Sequence, residues 1–150
     1  MKLDIREIKP EDAKSLLNLF PHWEINIVKK RIEITLAGRH EKRFVAIANG
    51  EVAGHIKANF HWKPRRHLVE LESLFVLEKL RRKGIGTALL QHTLNQMPKN
   101  VNIVTAKTSA NNTISLKLQK NLGFEKFATL ENGVDNAKEK CDLIYTKLKL

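Results

Sequence analysis

Cysteine is nearly absent from these 150 residues: Cys141 stands alone. A single thiol excludes an internal disulfide and a zinc site built from cysteines. Aromatics make up only 6% of the chain, and from Lys63 to Gln119 Phe75 is the only one. That scarcity argues against the interleaved stacking platforms of a single-strand nucleic-acid binder. No apolar run exceeds a few residues, as at Leu74–Leu77, far short of the ~20 a membrane helix needs. The opening Met1-Lys2-Leu3-Asp4 carries an acid at once and lacks the apolar stretch of a signal peptide. The expectation is a cytoplasmic protein that does not enter a membrane. Acids are also missing, and locally: none occurs between Lys79 and Phe124.

What is present is positive charge, +11 overall, concentrated in the middle of the chain. Between Lys57 and Lys120 stand 12 Lys or Arg against three acids, Glu70, Glu72 and Glu78. A field confined in this way suits a polyanionic partner, whether a phosphorylated cofactor or a nucleic acid. The 42% hydrophobic and 29% charged content is that of an ordinary globular chain. No repeat, low-complexity tract or linker divides it, so one domain over residues 1–150 is expected.

Periodicity places the elements. Leu3–Ile8 alternates as a short strand, and Pro10-Glu11-Asp12 begins a helix whose face is Ala13, Leu16, Leu17 and Phe20. Ile25, Val28, Ile32 and Leu36 define a second helix closed by Gly38. Two strands flank the hairpin turn Asn49-Gly50, and a third runs from Leu68 to Val76. Ile85–Met97 follows as a helix, then a strand at Val101–Val104. Asn111 or Asn112 caps a helix bearing Ile114, Leu118 and Leu122 and ending at Gly123. Leu143–Tyr145 belongs to a closing strand. The order β-α-α-β-β-β-α-β-α-β-β predicts a mixed α/β sheet.

The chemistry-bearing segment is Arg81-Arg82-Lys83-Gly84-Ile85-Gly86-Thr87, between a strand and a helix. Glycines at a helix start admit a ligand close to the backbone, and the free N–H groups and dipole there favour phosphate. It is not a Walker A loop, because Thr87-Ala88 follows Gly86 where Lys-Ser/Thr is required. Nor is it a dinucleotide fingerprint, because Leu89 occupies the third glycine position. It resembles instead the acyl-coenzyme A loop of the GNAT N-acetyltransferase superfamily, Arg/Gln-x-x-Gly-x-Gly/Ala, through Arg81, Gly84 and Gly86. The setting is similar too. Glu70–Val76 resembles that family's fourth strand, while Asn112-Thr113-Ile114-Ser115 and Leu118–Phe124 resemble its Asn-capped helix ending in Leu-Gly-Phe.

The resemblance implies a mostly antiparallel sheet of six or seven strands with about four helices on its two faces. In that fold strands four and five splay apart to hold acetyl-CoA. It assigns the pyrophosphate to Arg81, Arg82, Lys83, Gly84, Ile85, Gly86 and Thr87, and the pantetheine arm to the backbone of Leu74, Phe75 and Val76. Asn112 and Gln119 complete the cofactor set. The implied reaction is direct acetyl transfer to a primary amine, on a small molecule or a protein, in a ternary complex. A non-catalytic acyl-CoA sensor is the alternative, and a basic nucleic-acid-binding module a more distant one. The resemblance also allows a monomer or a homodimer.

Such a reaction needs a base for the amine. Glu70 matches the strand-four glutamate of one branch of the family, and Glu72, on the same strand face, is the alternative base, acting directly or through a water. Gln119 stands where many members carry a tyrosine acid, and an amide supplies no proton at neutral pH. His22, Trp23 and Trp62 are candidates to line the acceptor site. No metal site is expected, since His55, His61 and His67 lack a tight ligand spacing.

Overall fold

Asn49 and Gly50 lie at φ 53° and 78°, the paired positive angles that let a two-residue turn follow the twist of its strands. Around that turn the chain builds one sheet. A computed structural model describes residues 1–61 and 65–150; Trp62 lies outside the described residues. The strands are β1 (Leu3–Glu7), β2 (Glu41–Ala48), β3 (Glu51–Phe60), β4 (Leu68–Val76), β5 (Ile103–Ser109), β6 (Glu125–Asp135) and β7 (Lys140–Lys149). The helices are α1 (Ala13–Leu16), α2 (Ile25–Ala37), α3 (Ile85–Asn95) and α4 (Thr113–Asn121). Spatial order is β1-β2-β3-β4-β5-β7-β6. Among the described residues only β4 and β5 run parallel. The expected mixed, mostly antiparallel sheet of six or seven strands with about four helices is observed, with seven strands and four α-helices among the described residues.

Two apolar layers sandwich the sheet. On one side Phe44, Ile56, Val69 and Leu71 meet Ile85, Leu89 and Leu90 of α3, with Leu118 of α4 packed against the same cluster. On the other side Ile8, Val45 and Val52 meet Leu16, Val28 and Ile32 of α1 and α2. None of the helices among the described residues is long and apolar enough to cross a membrane.

Three local expectations are corrected. The first helix is shorter than its apolar spacing suggests: a 3-10 turn at Pro10–Asp12 leads into only four α-helical residues. Asp12 fastens that turn, accepting both guanidinium nitrogens of Arg6 at 2.8 and 2.9 Å and the Lys9 amide at 2.7 Å. After Leu16 the chain tightens into i→i−3 turns, Leu17 to Lys14, Asn18 to Ser15 and Leu19 to Leu16, before Pro21 disfavours helical geometry at Phe20. In α2 the buried stripe is Val28, Ile32 and Thr35, while Leu36 is 48% exposed. In α4 the face turns similarly, leaving Ile114 at 60% exposure and burying Gln119.

Candidate active site

The central cleft is made by strand pairing that stops. β4 and β5 are in register from Leu68 opposite Ile103 to Leu71 opposite Ala106. Beyond that, β4 follows β3 to Val76 and β5 follows β7 to Ser109. Two strands of one sheet therefore part, and a cleft of about 180 Å³ opens between them. Glu72, Ser73, Leu74 and Phe75 line one wall; Lys107, Thr108, Ser109, Asn112 and Gln119 line the other.

The β4 wall is bulged. Lys57 lies opposite Glu72 but His55 lies opposite Phe75, so β4 carries one residue more than β3 there. Ser73 absorbs the irregularity at φ 55°. The bulge resets the alternation: Val69 and Leu71 face the α3 core, and then Leu74 and Val76 do. Phe75 is thereby delivered to the opposite face.

Below the cleft, α3 begins at Gly84, whose φ of 80° opens the helix from a left-handed residue. Gly86 serves a different purpose. A Cβ there would lie 3.1 Å from Leu118 Cδ1 and 3.8 Å from Val76 Cγ2, so its lack of a side chain keeps α3, α4 and β4 close. Ala88 donates to the Gly84 carbonyl at 2.9 Å as the helix begins, and the amides ahead of it, at Ile85, Gly86 and Thr87, are those a helix leaves free. Arg81, Arg82, Lys83 and Thr87 are exposed around them. Arg81 Nε donates to the Val76 carbonyl at 3.0 Å, stitching the loop to the end of β4.

Of the cofactor residues expected on the far wall, Asn112 caps α4, its Oδ1 accepting from the Ser115 amide at 3.1 Å. Gln119 is only 5% exposed. Its Nε2 donates to Thr108 Oγ1 at 2.8 Å and to Ser115 Oγ at 3.2 Å, and its Oε1 accepts from Thr146 at 2.6 Å. That side chain ties α4 to β5 and β7.

Glu70 and Glu72 share the face opposite α3, as alternation requires. They differ in position: Glu72 lines the open cleft, 3.9 Å from Lys57 Nζ. Glu70 sits where the strands are still paired, 3.7 Å from His61 Nε2 and 4.0 Å from Lys107 Nζ. Lys107 also approaches the Tyr145 ring, 5.8 Å from its centroid. His61, Lys107 and Tyr145 stand apart from Glu70 in the chain and carry no motif that links them to it; cross-strand register brings them together.

Over the bulge lies the α1–α2 loop. Phe20 stacks on Trp23 at 4.5 Å and meets Phe75 and His55 edge-on at 5.2 and 5.4 Å. Arg31 covers the Trp23 ring at 4.5 Å. Trp23 is therefore packed beside the cleft, whereas His22 points to solvent as an exposed residue. No group of His, Cys, Asp and Glu among the described residues could hold a metal ion. Cys141 lies 3.1 Å from Ser109 Oγ.

The family model for the acetyltransferase (GNAT) family matches residues 5–124. A curated N-alpha-acetyltransferase of Sulfurisphaera tokodaii is 36% identical over 99 residues. The match takes in 59% of this chain and 59% of that relative, little more than half the length of each. Among solved structures, an N-acetyltransferase of Staphylococcus aureus Mu50 superposes with a TM-score of 0.89 at 24% identity over 99% of both chains. A phosphinothricin acetyltransferase from Sinorhizobium meliloti, solved with AcCoA, gives 0.85 at 19% identity, covering 100% of this chain and 89% of that one.

Proposed function

This chain belongs to the GNAT acetyltransferase family, and from that premise we propose that it moves an acetyl group from acetyl-CoA to a primary amine, by direct transfer with both substrates bound. The observation that carries the reading is the cleft between β4 and β5 with the glycine-opened end of α3 at its base. The fit is chemical. A pyrophosphate meets the amides of Ile85, Gly86 and Thr87 and the cations Arg81, Arg82 and Lys83. A pantetheine arm finds the β4 backbone at Leu74–Val76, which β5 has left, and pairs with it as an added strand does. Asn112 and Gln119 face the arm from the other wall. The bound thioester supplies an activated acetyl group with a thiolate as leaving group.

The chain's own residues supply the rest. The acceptor enters as an ammonium and must lose a proton. Glu72, on the cleft wall, is the proton acceptor that reaches it directly; Glu70, one pair deeper, is the alternative, through a water. Lys57 and Lys107, each within about 4 Å of one carboxylate, orient the two acids across the sheet face. Trp23, held by Phe20 and Arg31, forms the rim where the acceptor arrives, with His22 outside it. Because the curated relative is named for the N-alpha position, the α-amine of a polypeptide N-terminus is the acceptor this reading favours.

The test is thiol release from acetyl-CoA with a panel of peptides, polyamines and amino sugars. Release with free-N-terminal peptides, and none with the same peptides blocked at the N-terminus, is expected. Release with a lysine or polyamine instead would move the acceptor class. Coenzyme A binding with no release for any amine would support the sensor.

A further inference from the structure

The bulge in β4 is held from outside the cleft. His55, on β3, is 1% exposed, and its Nδ1 lies 3.0 Å from the Ser73 carbonyl at the apex of the irregularity. Its Nε2 lies 3.3 Å from Arg43 Nη1. Arginine can only donate, so Nε2 is the acceptor and Nδ1 carries the hydrogen given to Ser73. Arg43, 5% exposed, is fixed in turn: its Nε donates to Thr35 at 2.9 Å and to Glu41 at 3.1 Å. Thr35 donates to that same carboxylate at 2.7 Å. A continuous buried chain thus runs from α2 through β2 and β3 to a single carbonyl of β4.

That carbonyl belongs to a residue with a reason to relax. A serine at φ 55° occupies the left-handed region, which β-strand residues avoid. One residue further on, the chain has switched faces: Leu74 returns to the α3 side and Phe75 to the opposite side, and both line the cleft in that register. Removing the extra residue from the strand would exchange Leu74 and Phe75 between the α3 side and the opposite side of the sheet.

We propose that His55 is a positioning residue: by donating to the Ser73 carbonyl it pins the β4 bulge and so sets the backbone register that the acyl arm of acetyl-CoA meets. The inference rests on the acetyl-CoA reading above for its consequence, but the pinning itself does not.

The test compares three variants. In His55→Asn the side-chain nitrogen sits near the Nδ1 position and keeps the donation to Ser73. His55→Gln reaches the Nε2 position, keeping the contact with Arg43 and losing Ser73. His55→Leu loses both. Coenzyme A affinity is measured by calorimetry, KM for acetyl-CoA and for acceptor by steady-state kinetics, and amide hydrogen exchange at Ser73–Phe75 on the ligand-free protein. The expected result is affinity within about twofold of wild type for His55→Asn. For His55→Gln it falls by roughly tenfold or more, the size of one buried acceptor left unpaired, with KM for acetyl-CoA rising and KM for acceptor steady. Exchange at Ser73–Phe75 should quicken in the Gln variant while β2 amides stay protected. If His55→Leu does not fold, the Asn and Gln variants still decide, since both replace the ring and only one keeps the bond. Equal behaviour of the two, or unchanged exchange in His55→Gln, would overturn the proposal. If wild-type protein bound no coenzyme A, the acetyl-CoA reading would fail, and the exchange data would still decide whether His55 pins the bulge.

Discussion

Glu70 and Glu72 carry the same carboxylate two residues apart, and their surroundings differ: Glu72 lines the cleft beside Lys57, whereas Glu70 lies between His61 and Lys107. Glu72→Gln should lower turnover at neutral pH by about 10²-fold or more, the usual weight of a general base. The loss should shrink at alkaline pH, where the amine is already free. Glu70→Gln should give a smaller loss with the same pH trend; a pH–rate profile for each variant checks both. His55 predicts a separate pH effect, on stability. Burial, the largest cause, with the nearby cations Arg43 and Lys57 in support, pushes its pKa down to about 4, against the raising influence of Ser73 and Glu41. An unfolded imidazole takes up its proton near pH ~6.5, so between about pH 6.5 and 4 the unfolded state binds a proton that the folded state refuses. Stability should therefore fall as pH falls through that window, by on the order of 3 kcal/mol, and denaturant melts of His55→Asn should lose that slope. Below it, Asp12 and Glu41 continue the trend: their hydrogen bonds and neighbouring cations outweigh burial and hold both carboxyls below their usual range. Gln119 is the residue whose role changes most on seeing the fold. Three hydrogen bonds occupy it, so Gln119→Leu should cost about 1–3 kcal/mol in chemical denaturation, and Gln119→Tyr should destabilise the protein without raising its rate.

At the scale of elements, α3 and α4 owe their positions to their first residues. Asn112→Ala removes the α4 cap and should cost about 1 kcal/mol, read as a lowered melting temperature. Much of this level was legible from the chain alone, because the signals are local. Asn49-Gly50, Gly84 and Asn112 each mark a backbone requirement that only a few residue types meet, and each stands where that requirement occurs. The β4 bulge left a trace as well: Val69 and Leu71 are two apart, but Leu74 comes three later, breaking the period of two. What could not be read was contact across strands. Arg43 and His55 look like ordinary strand residues until register sets them side by side beneath Ser73. The same holds for Glu70 with His61 and Lys107. Apolar spacing misled for α1, where Leu17 and Phe20 fit a helical face, yet the chain passes into i→i−3 turns after only four helical residues.

Across the whole molecule, the charge asymmetry and the fold coincide. The acid-free stretch from Lys79 to Phe124 contains the α3 entry loop, all of β5 and all of α4. Those elements form one end and one wall of the cleft. Arg82→Ala and Lys83→Ala should each weaken coenzyme A binding more at low salt than at high salt, since exposed charges are screened. Arg81→Ala should lose affinity at both, because it also releases the bond to Val76 that anchors the loop. Acetyl-CoA is proposed to lie in the cleft between β4 and β5, with its pyrophosphate at the start of α3. The deciding measurement is calorimetric titration of coenzyme A into wild type, Gly86→Ala and Gly86→Glu. Saturable binding to wild type is expected, with modest weakening for Gly86→Ala, whose Cβ presses on the end of Leu118, and collapse for Gly86→Glu, read beside a circular-dichroism melt because the longer side chain also presses on the α3–α4 packing. Equal binding by folded Gly86→Glu and wild type, or no binding by wild type, would contradict that placement.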